Sequence, residues 1–230
     1  MDRLRMALAG VAKDLSKKID SDSVLGLGSG STVATLIEEL SPLLMTRGKK
    51  VTGVTTSAQI ETVATRSGIP LVPFRGSVDL VLDGADQVDD QLNLVKGGGG
   101  ALLKEKVVMG GAREIAIVAA ENKFARRLCE NGVRVPIEVV PLARESAKVR
   151  ISKLGGVPDE RLLPKGYPYF TENGNVILDT LFEPLDDPAR MESSLKAVPG
   201  VAEVGIFTFK PIGVYKLRDD GTYDILEKRN

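Results

Sequence analysis

The chain has 230 residues, 43% of them hydrophobic and 27% charged, and its 31 basic side chains balance 31 acidic ones. This is the composition of a globular protein with one large domain, or a main domain and a smaller lobe, and zero net charge argues against a general attraction to nucleic acid or membrane. Histidine is absent, which excludes a Ser-His-Asp or Cys-His pair, a His-ligated metal and the usual neutral-pH general base, and leaves proton transfer to Asp, Glu, Lys or Tyr.

No apolar run approaches the length of a bilayer span, and Met1-Asp2-Arg3 begins no signal peptide, so a cytoplasmic protein is expected. The single cysteine, Cys129, rules out an intrachain disulfide; it lies in a charged stretch that reads as helical and is expected to be a packing residue.

Residues 1–19 place Leu4, Leu8, Val11, Ala12, Leu15 and Ile19 at helical spacing, and Asp20-Ser21-Asp22-Ser23 ends that helix. Val24-Leu25-Gly26-Leu27-Gly28 reads as a buried strand, followed by Ser29-Gly30-Ser31-Thr32 and a helix over 33–45. This is half of a βαβ unit, and hydroxyls with bare N–H groups at a helix start suit a phosphate. Two familiar phosphate loops fail here. A Walker A loop needs a lysine, and a G-x-G-x-x-G count from Gly26 ends on Ser31. The next strand, 51–54, ends in Thr55-Thr56-Ser57 and lacks the acidic residue that dinucleotide binding requires. A small phosphomonoester fits better than NAD; a merely tight strand–helix turn is the plain alternative.

A helix over 58–67 and strands at 71–72 and 79–82 continue the alternation. They argue for a parallel sheet whose ligands gather at the carboxyl ends of the strands. Asp83 and Asp86 leave the last of these strands on either side of Gly84 and Ala85. Binding of sugar hydroxyls or help with a proton would use them, and Asx-turn capping is the competing reading. Asp89 and Asp90 follow, but the spacing fails the EF-hand pattern.

Lys96 then precedes Gly97, Gly98, Gly99 and Gly100, and a helix over 101–109 carries Glu105 one turn in. Bare backbone amides, a helix N-terminus and a lysine suit an anionic or enolate-like species with a carboxylate base beside it. A flexible loop before a solvated Lys-Glu-Lys face is the alternative. A strand over 114–119 ends in Ala120-Glu121-Asn122-Lys123, where Lys123 is either a second charge for a phosphate or a surface lysine.

From about residue 133 the character changes: strand 136–141, helix 142–154, strands 167–171 and 175–179 about Asn173-Gly174, helix 188–198, strand 201–208. That order predicts a small α+β ferredoxin-like lobe over 131–206. A closing hairpin, 213–217 and 222–226, is expected to rejoin the first sheet. The expectation is a Rossmann-like parallel-sheet domain, 1–130 with 207–230, carrying helices on both faces.

Together these motifs resemble the type A ribose-5-phosphate isomerases. The matching residues are Gly28-Ser29-Gly30-Ser31-Thr32, Asp83-Gly84-Ala85-Asp86, and Lys96-Gly97-Gly98-Gly99 with Glu105 at the family's spacing. Val135-Pro136-Ile137-Glu138-Val139, Asn173-Gly174-Asn175-Val176 and Pro199-Gly200-Val201 match further on, and Asp83 to Leu94 look like the archaeal branch. The resemblance implies interconversion of D-ribose 5-phosphate and D-ribulose 5-phosphate without metal or cofactor, by a homodimer or homotetramer. It further implies that Glu105 moves the proton between C2 and C1, and that Ser29, Gly30, Ser31 and Thr32 hold the phosphate with Lys123. Asp83, Gly84, Ala85 and Asp86 would bind hydroxyls, Asp86 also aiding ring opening. Lys96 with Gly97, Gly98 and Gly99 would stabilise the enediolate. Departures are Arg3 and Arg5 where relatives have a phosphate-binding lysine, Glu121-Asn122 before Lys123, and Gly100 for an alanine. A lactonase or deaminase acting on sugar phosphates, and a non-catalytic sugar-phosphate sensor, are the competing functions.

Overall fold

The computed structural model describes residues 3–209 and 212–228. Met1 and Asp2 of the expected first helix, and positions 210, 211, 229 and 230 of the expected catalytic domain, lie outside the described residues. The first half of the chain forms α1 (Arg3–Lys18), β1 (Val24–Leu27), α2 (Ser31–Thr46), β2 (Thr52–Thr55), α3 (Ala58–Arg66), β3 (Val78–Gly84), β4 (Gln87–Val88), β5 (Leu94–Val95), α4 (Leu102–Gly110) and β6 (Ala112–Ala120). Then follow β7 (Val135–Val139), α5 (Arg144–Lys153), β8 (Val157–Glu160), β9 (Val176–Leu181), α6 (Pro188–Lys196), β10 (Val201–Val204), β11 (Ile206–Phe207), β12 (Ile212–Leu217) and β13 (Tyr223–Lys228).

Contacts divide the chain into two compact units. The first takes the chain up to Gly84, Lys104–Lys123 and the stretch from Phe209. It holds a six-stranded sheet in the order β13-β12-β6-β3-β1-β2. Five strands run parallel and β13 is the antiparallel edge, joined through the predicted closing hairpin. Parallel strands covered on both faces need apolar residues almost throughout. Leu25, Leu27, Leu82, Ala116 and Val118 supply one face, under the buried stripes Ala7, Leu8, Val11 and Leu15 of α1 and Leu36, Ile37 and Leu40 of α2. On the opposite face α4 lies across β1 and β3: a Cβ on Gly26 would stand 2.7 Å from both Val108 and Val81. The Tyr223 hydroxyl of β13 donates to the Asp14 carboxylate and ties α1 to the sheet edge.

The second unit takes Ala85–Leu103 and Phe124–Thr208. Its four-stranded sheet runs β10-β7-β9-β8, antiparallel throughout. For a strand–helix–strand–strand–helix–strand chain, this is the ferredoxin-like order. Its core joins Val135, Ile137, Val139, Val176 and Leu178 to Ala147 and Ile151 of α5 and Leu195 of α6. Asp187 caps α6, accepting from the Arg190 N–H, with Pro188 in the first helical turn.

Four local expectations are corrected. The strand at 71–72 is only an isolated bridge between Leu71 and Gly53. The strand at 167–171 is absent beyond isolated bridges at Pro168 and Phe170; the lobe's second strand is instead β8, whose Pro158 sits on an edge strand and hid it from a pattern search. The single strand at 201–208 is two strands in two sheets, β10 with β7 and β11 with β5. Gly205 makes the break, donating to the Pro136 carbonyl at 2.7 Å and accepting from Lys96 N–H at 2.9 Å. Cys129 lies in a left-handed conformation before a short 3-10 turn and not in a helix. The expected lobe of 131–206 is smaller than the second contact unit, because β4 and β5 pair with β11 in a three-stranded sheet and bring residues 85–103 with them.

Candidate active site

In the six-stranded sheet β1 has β2 on one side and β3 on the other, so the chain reverses its direction of travel there. Ligands of such sheets bind outside the carboxyl ends of the strands at this switch point. Two predicted motifs emerge from those two strand ends. After β1, Gly30 takes φ 96 and caps α2 with no side-chain acceptor. A side chain would strain there, and a glycine cap offers the first-turn amides no side-chain acceptor, an arrangement that suits an anion. The Ser29 hydroxyl is 2.9 Å from the Thr56 hydroxyl, and the Gly30 N–H donates to Gln59 Oε1 at 3.3 Å. Ser31 is exposed and Thr32 half-buried in the opening turn of α2.

At the end of β3, Asp83 is fully buried. Its Oδ1 accepts from the Gly84 N–H at 2.7 Å, and a Cβ on Gly28 would fall on its carboxylate. Asp83 therefore shares the sheet face on which α4 lies. Helix α4 leads through Gly111 into β6, whose Ala112 pairs with Val78 at the start of β3. The helix C-terminus thus stands at the strand starts and its N-terminus at the strand ends. Glu105, one turn before Val108 and in the first turn of α4, is directed to that carboxyl end and is 4% exposed. Lys123 is exposed in a 3-10 turn after β6, the strand beside β3. This unit gathers Ser29, Gly30, Ser31, Thr32, Asp83, Gly84, Glu105 and Lys123 at one end of one sheet.

The remaining predicted residues belong to the second unit. The Asp86 N–H donates to the Val95 carbonyl at 2.8 Å, and its Oδ2 accepts from the Gly98 N–H at 2.8 Å, so Asp86 closes the base of the glycine loop. Ala85 precedes it at the start of this unit. Lys96 is 3% exposed, with its Nζ 5.7 Å from the centroid of the Phe207 ring, a cation–π approach. Gly97 takes φ 108 and its carbonyl accepts from the Gly100 N–H at 2.9 Å, a turn that a side chain would strain. Gly98 and Gly99 are exposed.

Four neighbours of these motifs were not singled out as site residues. Thr56 stood in a run of hydroxyls at a strand end, a usable signal. Gln59, Arg161 and Tyr169 carried none, since each reaches its loop from a distant part of the chain. Cys129 is 2% exposed and burial pushes its thiol up to about 12, so it stays protonated. No group of three or more His, Cys, Asp or Glu placed to hold a metal ion occurs among the described residues. No described helix is long and apolar enough to cross a membrane.

A sequence model of the family described as ribose 5-phosphate isomerase A (phosphoriboisomerase A) matches residues 52–221. The ribose-5-phosphate isomerase A of Korarchaeum cryptofilum is 42% identical over 199 residues, 86% of this chain and 87% of that one. The solved ribose 5-phosphate isomerase A of Methanocaldococcus jannaschii superposes with a TM-score of 0.89 at 35% identity, covering 98% of each chain. A D-ribose-5-phosphate isomerase in complex with phospho-erythronic acid does so at TM-score 0.90 and 35% identity, again over 98% of each chain.

Proposed function

The chain belongs to the ribose 5-phosphate isomerase A family, aldose–ketose isomerases, and we propose that it interconverts D-ribose 5-phosphate and D-ribulose 5-phosphate through an enediolate with Glu105 as the base. The carboxylate of Glu105 takes the C2 proton of the open-chain aldose. The C2–H electron pair forms the C1–C2 double bond, and the carbonyl oxygen at C1 becomes the oxyanion. Glu105 returns the proton to C1 as the O2 hydroxyl passes its proton to the O1 oxyanion, so that C2 becomes the ketone and C1 a primary alcohol. One carboxylate suffices, and histidine is not needed.

The other residues follow from what the intermediate requires. Ser29, Gly30, Ser31 and Thr32, with Lys123, hold the phosphate at the start of α2. Asp83, Gly84, Ala85 and Asp86 bind hydroxyls, Asp86 assisting ring opening. Lys96 with the loop of Gly97, Gly98 and Gly99 stabilises the enediolate, the Gly98 N–H being held by Asp86. The observation that carries this reading is Glu105, buried in the first turn of α4 on the sheet face that also bears Asp83. We further propose a cytoplasmic homodimer or homotetramer. The exposed Leu162, Tyr167 and Phe170 of the second unit support self-association, which sedimentation would read.

The test is formation of ribulose 5-phosphate from ribose 5-phosphate with EDTA present, and its inhibition by phospho-erythronic acid, whose planar carboxylate imitates the enediolate. Turnover that resists EDTA and yields to the acid is expected. A protein that binds the sugar phosphate without converting it would be a sensor, and the proposal would fall.

A further inference from the structure

The glycine loop of the second unit is held from outside by a side chain that neither motif nor spacing indicated. Arg161 follows β8 and is anchored on β9 by a two-point pair, Nε to Asp179 Oδ2 at 2.7 Å and Nη2 to Oδ1 at 2.5 Å. Its remaining Nη1 donates to two successive loop carbonyls, Gly97 at 3.1 Å and Gly98 at 3.0 Å. The Tyr169 ring lies 5.6 Å from the guanidinium carbon, and its hydroxyl donates to the Gly99 carbonyl at 3.3 Å. Three consecutive glycine carbonyls are thus each engaged, in a segment whose sequence imposes no conformation of its own.

In a planar trans peptide the carbonyl of one residue and the N–H of the next point in opposite directions. Fixing the Gly97 carbonyl on Arg161 therefore aims the Gly98 N–H away from it, and that N–H donates to Asp86. Fixing the Gly98 carbonyl aims the Gly99 N–H away from Arg161 in the same manner. Among the described residues the Gly99 N–H donates to none, and a Cβ on Gly99 would meet nothing within 4 Å. The Gly100 N–H is used within the turn. One guanidinium therefore sets which loop amide faces inward and which faces out, and its charge draws the two carbonyl dipoles into line with a negative charge at the amide end.

We propose that Arg161, seated on Asp179, is a positioning residue for the isomerisation: it orients the Gly98–Gly99 peptide so that the Gly99 N–H meets the enediolate oxygen. This rests on the isomerase reading above. All three Arg161 nitrogens are engaged by Asp179 and the loop carbonyls, so its loss acts through the loop and on the transition state more than on substrate binding.

The test is steady-state kinetics of wild type, Arg161→Gln, Arg161→Lys, Asp179→Asn and the Arg161→Gln/Asp179→Asn double variant, with thermal melts alongside. Arg161→Gln is expected to lower kcat by about tenfold to a hundredfold, somewhat below the loss of a direct oxyanion donor, with KM within about threefold. Asp179→Asn should lower kcat in the same sense, and the double variant should be no worse than Arg161→Gln alone, because the two act as one unit. Arg161→Lys keeps the charge but cannot span both carbonyls while paired with Asp179, and should recover only part of the rate. A folded Arg161→Gln with kcat within twofold of wild type, or with a loss confined to KM, overturns the inference; should that variant not fold, the same outcomes in Arg161→Lys decide. A wild type without turnover would instead remove the isomerase reading itself.

Discussion

At the scale of single residues, the candidate residues of the first unit are built on close approach. Gly28 leaves room for the Asp83 carboxylate, which then lies on the sheet face with α4. Gly28→Ala would push that carboxylate aside. We expect a loss of about 1–3 kcal/mol in stability together with a larger loss of kcat/KM, measured by denaturant unfolding and initial rates. A variant as active and stable as wild type would show that Asp83 is not held by this contact. Tyr223 and Asp14 give a prediction in pH. Burial and the bond to Asp14 push the Tyr223 hydroxyl up to about 12, and the same bond is the largest cause lowering Asp14. A raised pKa contributes stability that is complete below the unfolded value, about 10 for tyrosine, and lost as pH rises toward 12. A lowered carboxylate contributes above about pH 4 and loses its contribution as pH falls further. The difference in melting temperature between wild type and Tyr223→Phe should therefore shrink from pH 10 to 12; a constant offset would contradict it.

At the scale of elements, the parallel strands and the helices of the first unit were legible because their apolar runs and stripes are set by burial on both faces. The hydroxyl turn after β1 and the aspartates after β3 were legible as strand-end motifs. What could not be read was pairing that depends on distant partners. Gly205 looks like an ordinary residue of a strand, yet its N–H and carbonyl join Pro136 and Lys96, residues far apart in sequence. A Cβ there would stand 2.7 Å from the Pro136 carbonyl and closer still to that of Lys96. Gly205→Ala is expected to destabilise by about 1–3 kcal/mol or more, since both obstacles are backbone. Activity should fall with it, because Lys96 takes its main-chain position from this junction. Retention of both would mean that the junction relaxes freely. Arg161 and Tyr169 were hidden for a related reason: their contact is with main-chain carbonyls, which have no sequence signature.

At the scale of the molecule, the chain passes between two contact units more than once, so neither unit is one contiguous segment. The ferredoxin-like sheet and its helices nonetheless lie within 131–206, as does the hydrophobic cluster around Ile137 and Leu178 apart from Val95, Leu128 and Cys129. We propose that 131–206 is a folding lobe in its own right. A fragment of those residues should melt cooperatively, at lower temperature than the whole chain for want of those three core residues. A random-coil spectrum would show that the lobe depends on β5 and the 124–130 segment. The pairing of β5 with β11 was not visible in the sequence, since a two-residue strand such as β5 has no period of its own.

The proposed catalysis rests on one carboxylate moving one proton, and comparing Glu105→Gln with wild type tests it most directly. The amide keeps the size of the side chain and removes the base. With ribose 5-phosphate as substrate and melting temperature unchanged, kcat is predicted to fall by about a thousandfold or more while sugar-phosphate binding persists. A folded Glu105→Gln that turns over at nearly the wild-type rate would contradict the mechanism and require another group as the base.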